Sequence, residues 1–260
     1  MYVMRPNIKV KKYSYVHKVF KLVRDHWPIA RKRYAKARVV WNCNPNPVPA
    51  KFLRLLYENK CIWLNRPENI KYSNNYEVYK MFKNTDYYPP TTDNYAEVQN
   101  MLDENDLVVA KKASSFQCRG VKITSPEFVH EYKDYNIFQK FLDIDREYRV
   151  VVLKPNLAEP EFYWVVNTAK KVKTEDWSYD NLHAFEWTSL GIYPRLNLRF
   201  WDIVHDVVKK VPLNLFAIDI MHDRENRKWW LGELNIQFGF GRFLVRPMLN
   251  AMRAVENYWK

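Results

Sequence analysis

The clearest pattern along the chain is a pair of apolar runs that flank a short charged segment. The runs are FAIDIM (Phe216–Met221) and WWLGELN (Trp229–Asn235), and the segment between them includes DRENRK. Apolar runs separated by a polar, turn-forming segment predict two antiparallel strands joined as a hairpin. In a hairpin centred on Asn226, alternate side chains of the first strand enter a core, namely Phe216, Ile218 and Ile220. Ala217, Asp219 and Met221 then face the other way.

The N-terminal quarter has a different pattern. Helical spacing of apolar residues predicts a basic amphipathic helix from about Lys12 to Trp27. Two short apolar runs, Arg38–Trp41 and Cys61–Leu64, predict strands on either side of a helix that contains Phe52–Leu56. This strand–helix–strand order predicts a small α/β unit.

The middle and C-terminal parts predict an antiparallel sheet with covering helices, which makes the larger part of the chain α+β. Ser73 or Asn74 is suited to cap a helix that ends near Phe82. The polar stretch Lys170–His183 is predicted to be a loop. The other predicted elements are a helix near Tyr95–Leu102, strands at Leu107–Lys111, Val121–Ile123, Asn136–Leu142, Tyr148–Leu153 and Phe162–Thr168, and helices at Phe200–Val211 and Met248–Val255.

Composition indicates a globular protein that does not cross a membrane. The chain has 260 residues and 47% hydrophobic content, enough to bury a core. No apolar run approaches the ~20 residues that a transmembrane helix needs. The N-terminus lacks the apolar segment of a signal peptide. The three scattered cysteines fit neither a disulfide framework nor a zinc site, so a cytoplasmic location is expected.

The charge of the chain is strongly basic and unevenly placed. The formal net charge is +13, and many of the basic residues precede residue 39. Such an excess favours an anionic partner, either nucleic acid or an acidic protein. The alternative is a solvated basic helix face. The five glycines and the abundance of Lys, Asn and Tyr are typical of an AT-rich genome, such as a viral one.

The predicted hairpin carries a candidate metal site. It places Asp219 opposite Glu233, and Asn235 lies two residues further along on the same face. Opposed like charges destabilise a strand pair, and a divalent cation between them would remove that repulsion. Two carboxylates and an amide oxygen suit a hard ion such as Mg²⁺. The alternative is an exposed acidic edge with unrelated carboxylates.

Four motifs occur in an order that resembles the ATP-grasp superfamily of ATP-dependent carboxylate–amine ligases. They are VVAK (Val108–Lys111), FQKFLDIDREYRVVV (Phe138–Val152), NLH (Asn181–His183), and AIDI with WLGELN in the hairpin. The likeness is to the D-alanine–D-alanine ligase and ribosomal-protein glutamate ligase types, over about residues 65–241. It implies two α+β subdomains that grip ATP, preceded by a short α/β domain. The implied division is 1–70, 71–141 and 142–260.

The resemblance also implies a nucleotide site. Lys111 matches the strand lysine that holds phosphate oxygens, and it is preferred to Lys112 because it shares a strand face with Val109. In the family an acidic residue is usual where Lys140 stands. The remaining implied contacts are Ser114, Ser115 and Gly120 in the phosphate loop, the hinge residues Gln139, Phe141 and Leu142 at adenine, Asp145 or Asp143 at ribose, and Lys80 as the helix lysine, with Asn75 where a lysine is commoner.

The chemistry implied by the resemblance is formation of an acyl-phosphate and its capture by an amine. Arg149, Asn181 and His183 match residues near the transferred phosphate, and Lys170, Lys171 or Lys173 adds positive charge there. Asp219, Glu233 and Asn235 match the ligands of Mg²⁺, with Mn²⁺ as an alternative. The segment Ile236–Gly241 departs from the family pattern by lacking its proline. The identities of the acid and the amine, and the oligomeric state, are left open.

Overall fold

A computed structural model describes residues 2–4, 39–42, 54, 62–98, 107–113, 120–175, 185–236, 238 and 242–259. The predicted N-terminal helix lies outside these residues, as does the predicted Phe52–Leu56 helix apart from Arg54. Ser114, Ser115, Asn181, His183 and the three cysteines also lie outside them. No helix within the described ranges is long and apolar enough to cross a membrane.

The first sheet is a small parallel one near the N-terminus. Its strands β1 (Tyr2–Met4), β2 (Val39–Asn42) and β3 (Ile62–Leu64) pair in the order β1-β2-β3. β2 and β3 correspond to the two predicted short strands. β1 was not predicted, because three residues are too few to display a periodic pattern.

The second sheet is antiparallel and has the order β4-β7-β5-β6. Its strands are β4 (Thr91–Thr92), β5 (Val108–Lys111), β6 (Val121–Thr124) and β7 (Ile137–Lys140). Val98, Val108, Ala110, Val129 and Phe138 form its buried core. The preceding helix α1 (Asn75–Phe82) begins after Asn74, whose side chain accepts a hydrogen bond from the Tyr76 N–H.

The third sheet is the largest and has the order β10-β9-β8-β11-β12, with all neighbours antiparallel. Its strands are β8 (Ile144–Leu153), β9 (Trp164–Lys173), β10 (Phe185–Gly191), β11 (Leu215–Asp223) and β12 (Lys228–Asn235). The prediction of a loop from Lys170 is therefore wrong for Lys170–Lys173. Charged side chains occupy this end of β9, so the apolar pattern ends before the strand does. β10 was also missed.

Two further helices, α2 (Leu198–Lys210) and α3 (Val245–Tyr258), complete the described fold. One core joins α1 and α2 to the large sheet and includes Phe216, Ile218 and Ile220, as predicted. A second core on the other face joins Trp41, Leu64 and α3 to Leu215 and Ala217. The start of β11 is therefore covered on both faces, and the alternation seen in its sequence separates two cores rather than core from solvent.

The predicted fold class is confirmed: an α+β body follows a small parallel unit. The three sheets fall within residues 1–70, 71–141 and 142–260 respectively. Helix α1 nevertheless packs in the same core as the large sheet. The Leu231 N–H also donates to the Tyr87 carbonyl at 2.7 Å, which ties the chain segment after α1 to β12.

Candidate active site

The hairpin of β11 and β12 brings the two predicted acidic ligands together. Asp219 pairs with Glu233, as predicted, and Ala217 pairs with Asn235. Towards the turn the register shifts by one residue, and Ile220 pairs with Leu231. Gly232 is the extra residue of this β-bulge, and a Cβ there would lie 3.2 Å from the Asp219 carbonyl oxygen. The bulge at Gly232 thus sets the register that opposes the two acids.

A third charged residue stands beside them on the next strand. Arg149 of β8 pairs with Asp219 on the other edge of β11. Its Nε donates to Asp219 Oδ1 at 2.6 Å and its Nη2 donates to Asp219 Oδ2 at 2.5 Å. The same Nη2 lies 3.8 Å from Glu233 Oε1. Arg149, Asp219 and Glu233, here called the charged row, therefore lie side by side on three adjacent strands.

Asn235 completes the predicted ligand set. Its Nδ2 donates to Glu233 Oε1 at 2.7 Å and to Asp219 Oδ2 at 3.2 Å. Within the described residues, no three His, Cys, Asp or Glu side chains are arranged so that they could hold a metal ion together. The set here is two carboxylates and one amide, which suits a hard divalent cation if the amide presents its oxygen. That presentation requires only a half-turn of the amide.

The electrostatics of the charged row favour a cation. Loss of hydration, followed by repulsion from Asp219, raises the pKa of Glu233 to about 6 against the attraction of Arg149. Burial alone would lower the pKa of Arg149, but Asp219 and Glu233 outweigh it and raise that pKa above its ordinary value. Glu233 keeps 42% of its side chain exposed, so an ion can approach the row from this side.

Two cations and two aromatic rings continue the same face of the sheet towards β10. Lys171 Nζ donates to Glu147 Oε2 at 2.8 Å and lies 4.4 Å from the centre of the Phe185 ring. The Arg149 guanidinium carbon lies 4.4 Å from the centre of the Trp187 ring. Of the three lysines left open by sequence, Lys171 is thus held at Glu147, two residues before Arg149 on β8. Lys170 pairs with Tyr148, whose ring packs in the core on the opposite face.

Glu147 and Trp187 were not singled out from sequence. Both lie on strands whose extent was misjudged, since β8 begins earlier than predicted and β10 was not predicted at all. The only available signal was the alternation of Phe185 and Trp187 with polar residues, and it is short.

Lys111 and Gln139 are brought together on β5 and β7. Lys111 Nζ donates to Gln139 Oε1 at 2.7 Å, and Gln139 Nε2 donates to Thr91 Oγ1 at 2.9 Å. Lys112 is exposed instead and forms an ion pair with Asp134 at 3.0 Å. Its backbone N–H donates to the carbonyl of Gly120 at 2.8 Å, which holds Gly120, the last residue of the predicted phosphate loop, beside the end of β5.

Two backbone N–H groups of the predicted hinge segment already donate hydrogen bonds within the protein. The Phe141 N–H donates to the Leu107 carbonyl at 2.9 Å, and the Lys140 N–H donates to the Pro90 carbonyl at 2.9 Å. An adenine contact through the N–H of Phe141 would therefore break an existing bond. Leu142 follows at the start of the short link to β8.

Two other predicted residues have partners of their own. Asp145 Oδ1 lies 2.7 Å from His222 Nδ1, and Asp145 Oδ2 accepts from Arg146 at 3.2 Å. Burial would raise the pKa of Asp145, but the contacts with His222 and Arg146 lower it overall. Lys80 lies on the exposed side of α1 in an ion pair with Glu77 at 2.7 Å. These partners of Asp145 and Lys80 do not belong to the charged row.

Comparison with known proteins settles the fold. No protein-family model and no curated protein sequence matches the chain. A solved structure of the ATP-grasp ligase PsnB with its minimal precursor is similar over 98% of both chains, with a TM-score of 0.65 and 13% identity. This chain has the ATP-grasp fold. A second PsnB structure, which holds Mg and ADP, gives a TM-score of 0.58 at 14% identity, covering 84% of this chain and 78% of that one.

Other ATP-grasp structures match with similar strength. N5-carboxyaminoimidazole synthetase from Staphylococcus aureus gives a TM-score of 0.57 at 12% identity, over 91% of this chain and 63% of that one. D-alanyl-alanine synthetase A from Vibrio cholerae gives 0.53 at 14% identity, over 82% and 76%. The fold expected from the four sequence motifs is thus confirmed. At these identities the likeness concerns the ATP-grasp architecture alone.

Proposed function

We propose that the chain is an ATP- and Mg²⁺-dependent ligase that joins a carboxylate to an amine through an acyl-phosphate and releases ADP and phosphate. The observation that carries this proposal is the charged row. One cation and two carboxylates on three neighbouring strands, with Asn235 beside them, form a site suited to a metal–triphosphate group.

Three groups of residues would bind the metal ion, the phosphates and the nucleoside. Asp219, Glu233 and Asn235 would hold Mg²⁺ or Mn²⁺, which when bound neutralises phosphate oxygens. Lys111 supplies a cation at the other sheet, next to the segment that contains Ser114, Ser115 and Gly120. The backbone of Gln139–Leu142 and the carboxylate of Asp145 would contact the nucleoside, and for Asp145 this requires release from His222 or Arg146.

The reaction needs positioning and charge neutralisation rather than a protein nucleophile. A carboxylate oxygen of the acid attacks the γ-phosphorus of ATP, and ADP leaves. The amine then attacks the acyl carbon, the bond from that carbon to the phosphate oxygen breaks, and phosphate leaves with the electron pair while the amine loses a proton. Arg149 would neutralise charge on the transferred phosphoryl group. Asn181 and His183 are proposed to contact the same group.

The proposal leaves the substrate class as an amino acid, a peptide or a nucleic-acid-linked group. The similar solved structures support a broad range: one is a ligase bound to a minimal precursor, and others are an N5-carboxyaminoimidazole synthetase and a D-alanyl-alanine synthetase. The departure at Ile236–Gly241 favours a substrate unlike those of the D-alanine ligase type.

The test is a screen for ADP release with Mg²⁺ over amino acids, polyamines, peptides and nucleic acids. Once an active pair of substrates is found, Glu233→Gln should lower turnover by roughly 100-fold or more. The substitution removes one negatively charged ligand of the metal ion that would neutralise the phosphate oxygens. Glu225→Gln, in the exposed turn of the same hairpin, is the matched control and should leave turnover unchanged. Undiminished turnover in Glu233→Gln, with the fold intact by circular dichroism, would refute the assignment.

A second candidate is a basic nucleic-acid-binding or scaffold protein built on an inactive ATP-grasp framework. The observation in its favour is that residues 1–60 contain 15 Lys and Arg but only two Asp and Glu, whereas residues 61–260 contain 27 of each. The net charge of the chain thus originates entirely in the first 60 residues. Polynucleotide binding without ADP release from any substrate pair would favour this candidate.

A further inference from the structure

One buried polar group near the charged row lacks a partner. Asn167 of β9 is 3% exposed, and its Nδ2 has no hydrogen-bond partner among the described residues. Its Oδ1 accepts from Ser189 Oγ at 2.8 Å, and Ser189 Oγ in turn accepts from the Gly191 N–H at 3.3 Å. The hydrogen bond from Ser189 thus fixes the side-chain amide of Asn167, and the two N–H groups on Asn167 Nδ2 remain unused. An unused buried donor is costly, and such groups are rare without a functional reason.

The position of Asn167 relates it to Arg149. Arg149 pairs with Ala169, and Val151 pairs with Asn167, so Asn167 lies diagonally across from Arg149 on the same face. Ser189 pairs with Ala169 from the other side. Arg149, Asn167 and Ser189 therefore surround Ala169, whose single methyl group leaves space above the sheet for the Trp187 ring that contacts Arg149.

The course of β8 locates Asn167 relative to the predicted hinge and the charged row. Starting from the hinge, the chain enters β8 at Ile144, passes Asp145, reaches Arg149 and then Val151. Val151 pairs with Ala217, and Ala217 pairs with Asn235. Asn167 and Asn235 thus lie at the two ends of a row one step beyond the charged row, on the side away from the hinge. Asn167 therefore lies next to Val151 of the second core and diagonally across from Arg149, the residue proposed to neutralise the transferred phosphoryl group.

We propose that Asn167 is a substrate-binding residue whose Nδ2 donates to an anionic oxygen of the acid substrate, first as carboxylate and then as acyl-phosphate. This inference rests on the proposed function and adds a subsite for the acid. The nearby Arg149 favours a negatively charged oxygen, and an anion accepts from an amide donor more strongly than a neutral group does. Asn167 makes and breaks no covalent bond.

The experiment uses the full chain and inorganic phosphate, the simplest analogue of the transferred group. Phosphate is titrated into the chain saturated with Mg·ADP, and binding is measured by calorimetry. Asn167→Leu removes the donor at similar volume, together with the acceptor of Ser189 Oγ, and should weaken phosphate binding about tenfold or more with Mg·ADP affinity unchanged. Asn167→Asp adds a negative charge and should weaken phosphate binding further.

Thr168→Val is the matched control. Thr168 is the next residue, equally buried, and its Oγ1 donates to the Ile192 carbonyl at 2.9 Å. This substitution removes a real hydrogen bond and should lower stability without changing phosphate affinity. A structural role for Asn167 would give the same pattern as Thr168→Val.

The outcomes separate the inference from the proposed function. Wild-type phosphate affinity in Asn167→Leu or in Asn167→Asp overturns the inference, as does failure of the wild-type Mg·ADP complex to bind phosphate. In each of these cases Mg·ADP binding still stands, and the proposed function with it. Failure of the wild-type chain to bind Mg·ADP at all overturns the proposed function itself.

Discussion

Arg149 places its positive charge beside the two carboxylates that a metal ion would otherwise neutralise. Its guanidinium makes two hydrogen bonds to Asp219 and approaches Glu233, so the chain itself supplies a counter-charge to the two carboxylates. A divalent cation at Asp219 would compete with this ion pair. The stack with Trp187 offers the guanidinium a contact that does not depend on Asp219. Metal binding and release of Arg149 towards a phosphate are therefore expected to be coupled.

Arg149→Met should make the chain less stable and more responsive to metal. Asp219 is 3% exposed in its side chain, and removing the partner of a buried charge costs about 3–5 kcal/mol of unfolding free energy. Millimolar Mg²⁺ should recover part of this loss by restoring a counter-charge, and so raise the Tm of Arg149→Met more than that of the wild type. Arg146→Met, at a cation on the same strand, is the control. An equal Mg²⁺ effect on the three proteins would contradict the coupling.

Lys154 is a buried cation with no acidic partner among the described residues. It is 1% exposed, and its Nζ donates to the carbonyl of Val208 at 2.8 Å and to that of Val211, at the C-terminal end of α2. Burial lowers the pKa of Lys154 to about 8. The carbonyls and the negative end of the helix dipole favour its charge, and loss of hydration opposes it.

The stability of the chain should therefore rise with pH relative to Lys154→Met. Between a folded pKa of about 8 and an unfolded pKa near 10.5, the unfolded chain binds more protons, so the unfolding free energy increases as pH rises. From pH 7 to 9.5 the gain should reach roughly 2 kcal/mol, measured by urea unfolding. Subtracting the Lys154→Met curve cancels the titration of tyrosines. Parallel curves would show that Lys154 keeps its ordinary pKa.

At the scale of elements, local pairing was predictable and long-range pairing was not. The opposition of Asp219 and Glu233 follows from hairpin spacing, because a short turn fixes the register. Arg149 could be placed near them only through the family resemblance, since β8 and β11 are far apart in sequence. The extent of β9 was misjudged because Lys171 and Lys173 face the charged side of the sheet. Asn167 carried no signal, since its significance depends on what the neighbouring strands leave unpaired.

Asn65 joins the small parallel sheet to the large one. Its side-chain Oδ1 accepts from the N–H groups of Asn214 at 2.8 Å and Leu215 at 2.9 Å, and its Nδ2 donates to the Leu215 carbonyl at 2.6 Å. Its backbone φ is 62°, in the left-handed region that asparagine tolerates better than most residues. One residue at the end of β3 thus fixes the start of β11, the strand that carries Asp219.

Asn65→Ala should lower the unfolding free energy by about 3 kcal/mol or more, because it removes three buried hydrogen bonds and places alanine, which tolerates the left-handed region less well than asparagine, at positive φ. Asn65→Gly removes the same hydrogen bonds but tolerates the backbone, so its loss should be about 1 kcal/mol smaller. Denaturant unfolding of both variants measures the difference. Equal losses would mean that the backbone conformation contributes nothing.

At the scale of the whole molecule, charge is separated along the sequence. The first 60 residues hold the whole net charge of +13, and the remaining 200 are balanced. The balanced part contains every residue of the charged row and of the proposed acid subsite. A polyanion partner and the proposed chemistry would therefore draw on different parts of the chain, and changes in one need not affect the other.

Under the second candidate function, polynucleotide affinity should fall steeply with salt and depend on the early basic residues. Each phosphate contact contributes about 0.7–0.9 to the slope of log affinity against log salt. Replacing Lys9, Lys11, Lys12 and Lys18 by Gln should reduce both affinity and slope. The control replaces four exposed lysines of the balanced part, namely Lys122, Lys133, Lys209 and Lys210. Equal losses in the two quadruple variants would remove the reason to assign binding to the first 60 residues.

Because β11 is covered by a core on each face, the free energy of local unfolding should differ between the strands of the site. β11 is paired on both edges and covered by two cores at its start, so opening it requires most of the protein to open. β10 is an end strand of the same sheet in the described residues; Leu190 within it and Ile192 just after it are exposed. Asp219 thus lies on the last strand to exchange its amides with solvent, and Trp187 lies on one of the first. A ligand that contacts both residues would slow exchange in β10 and leave that of β11 almost unchanged.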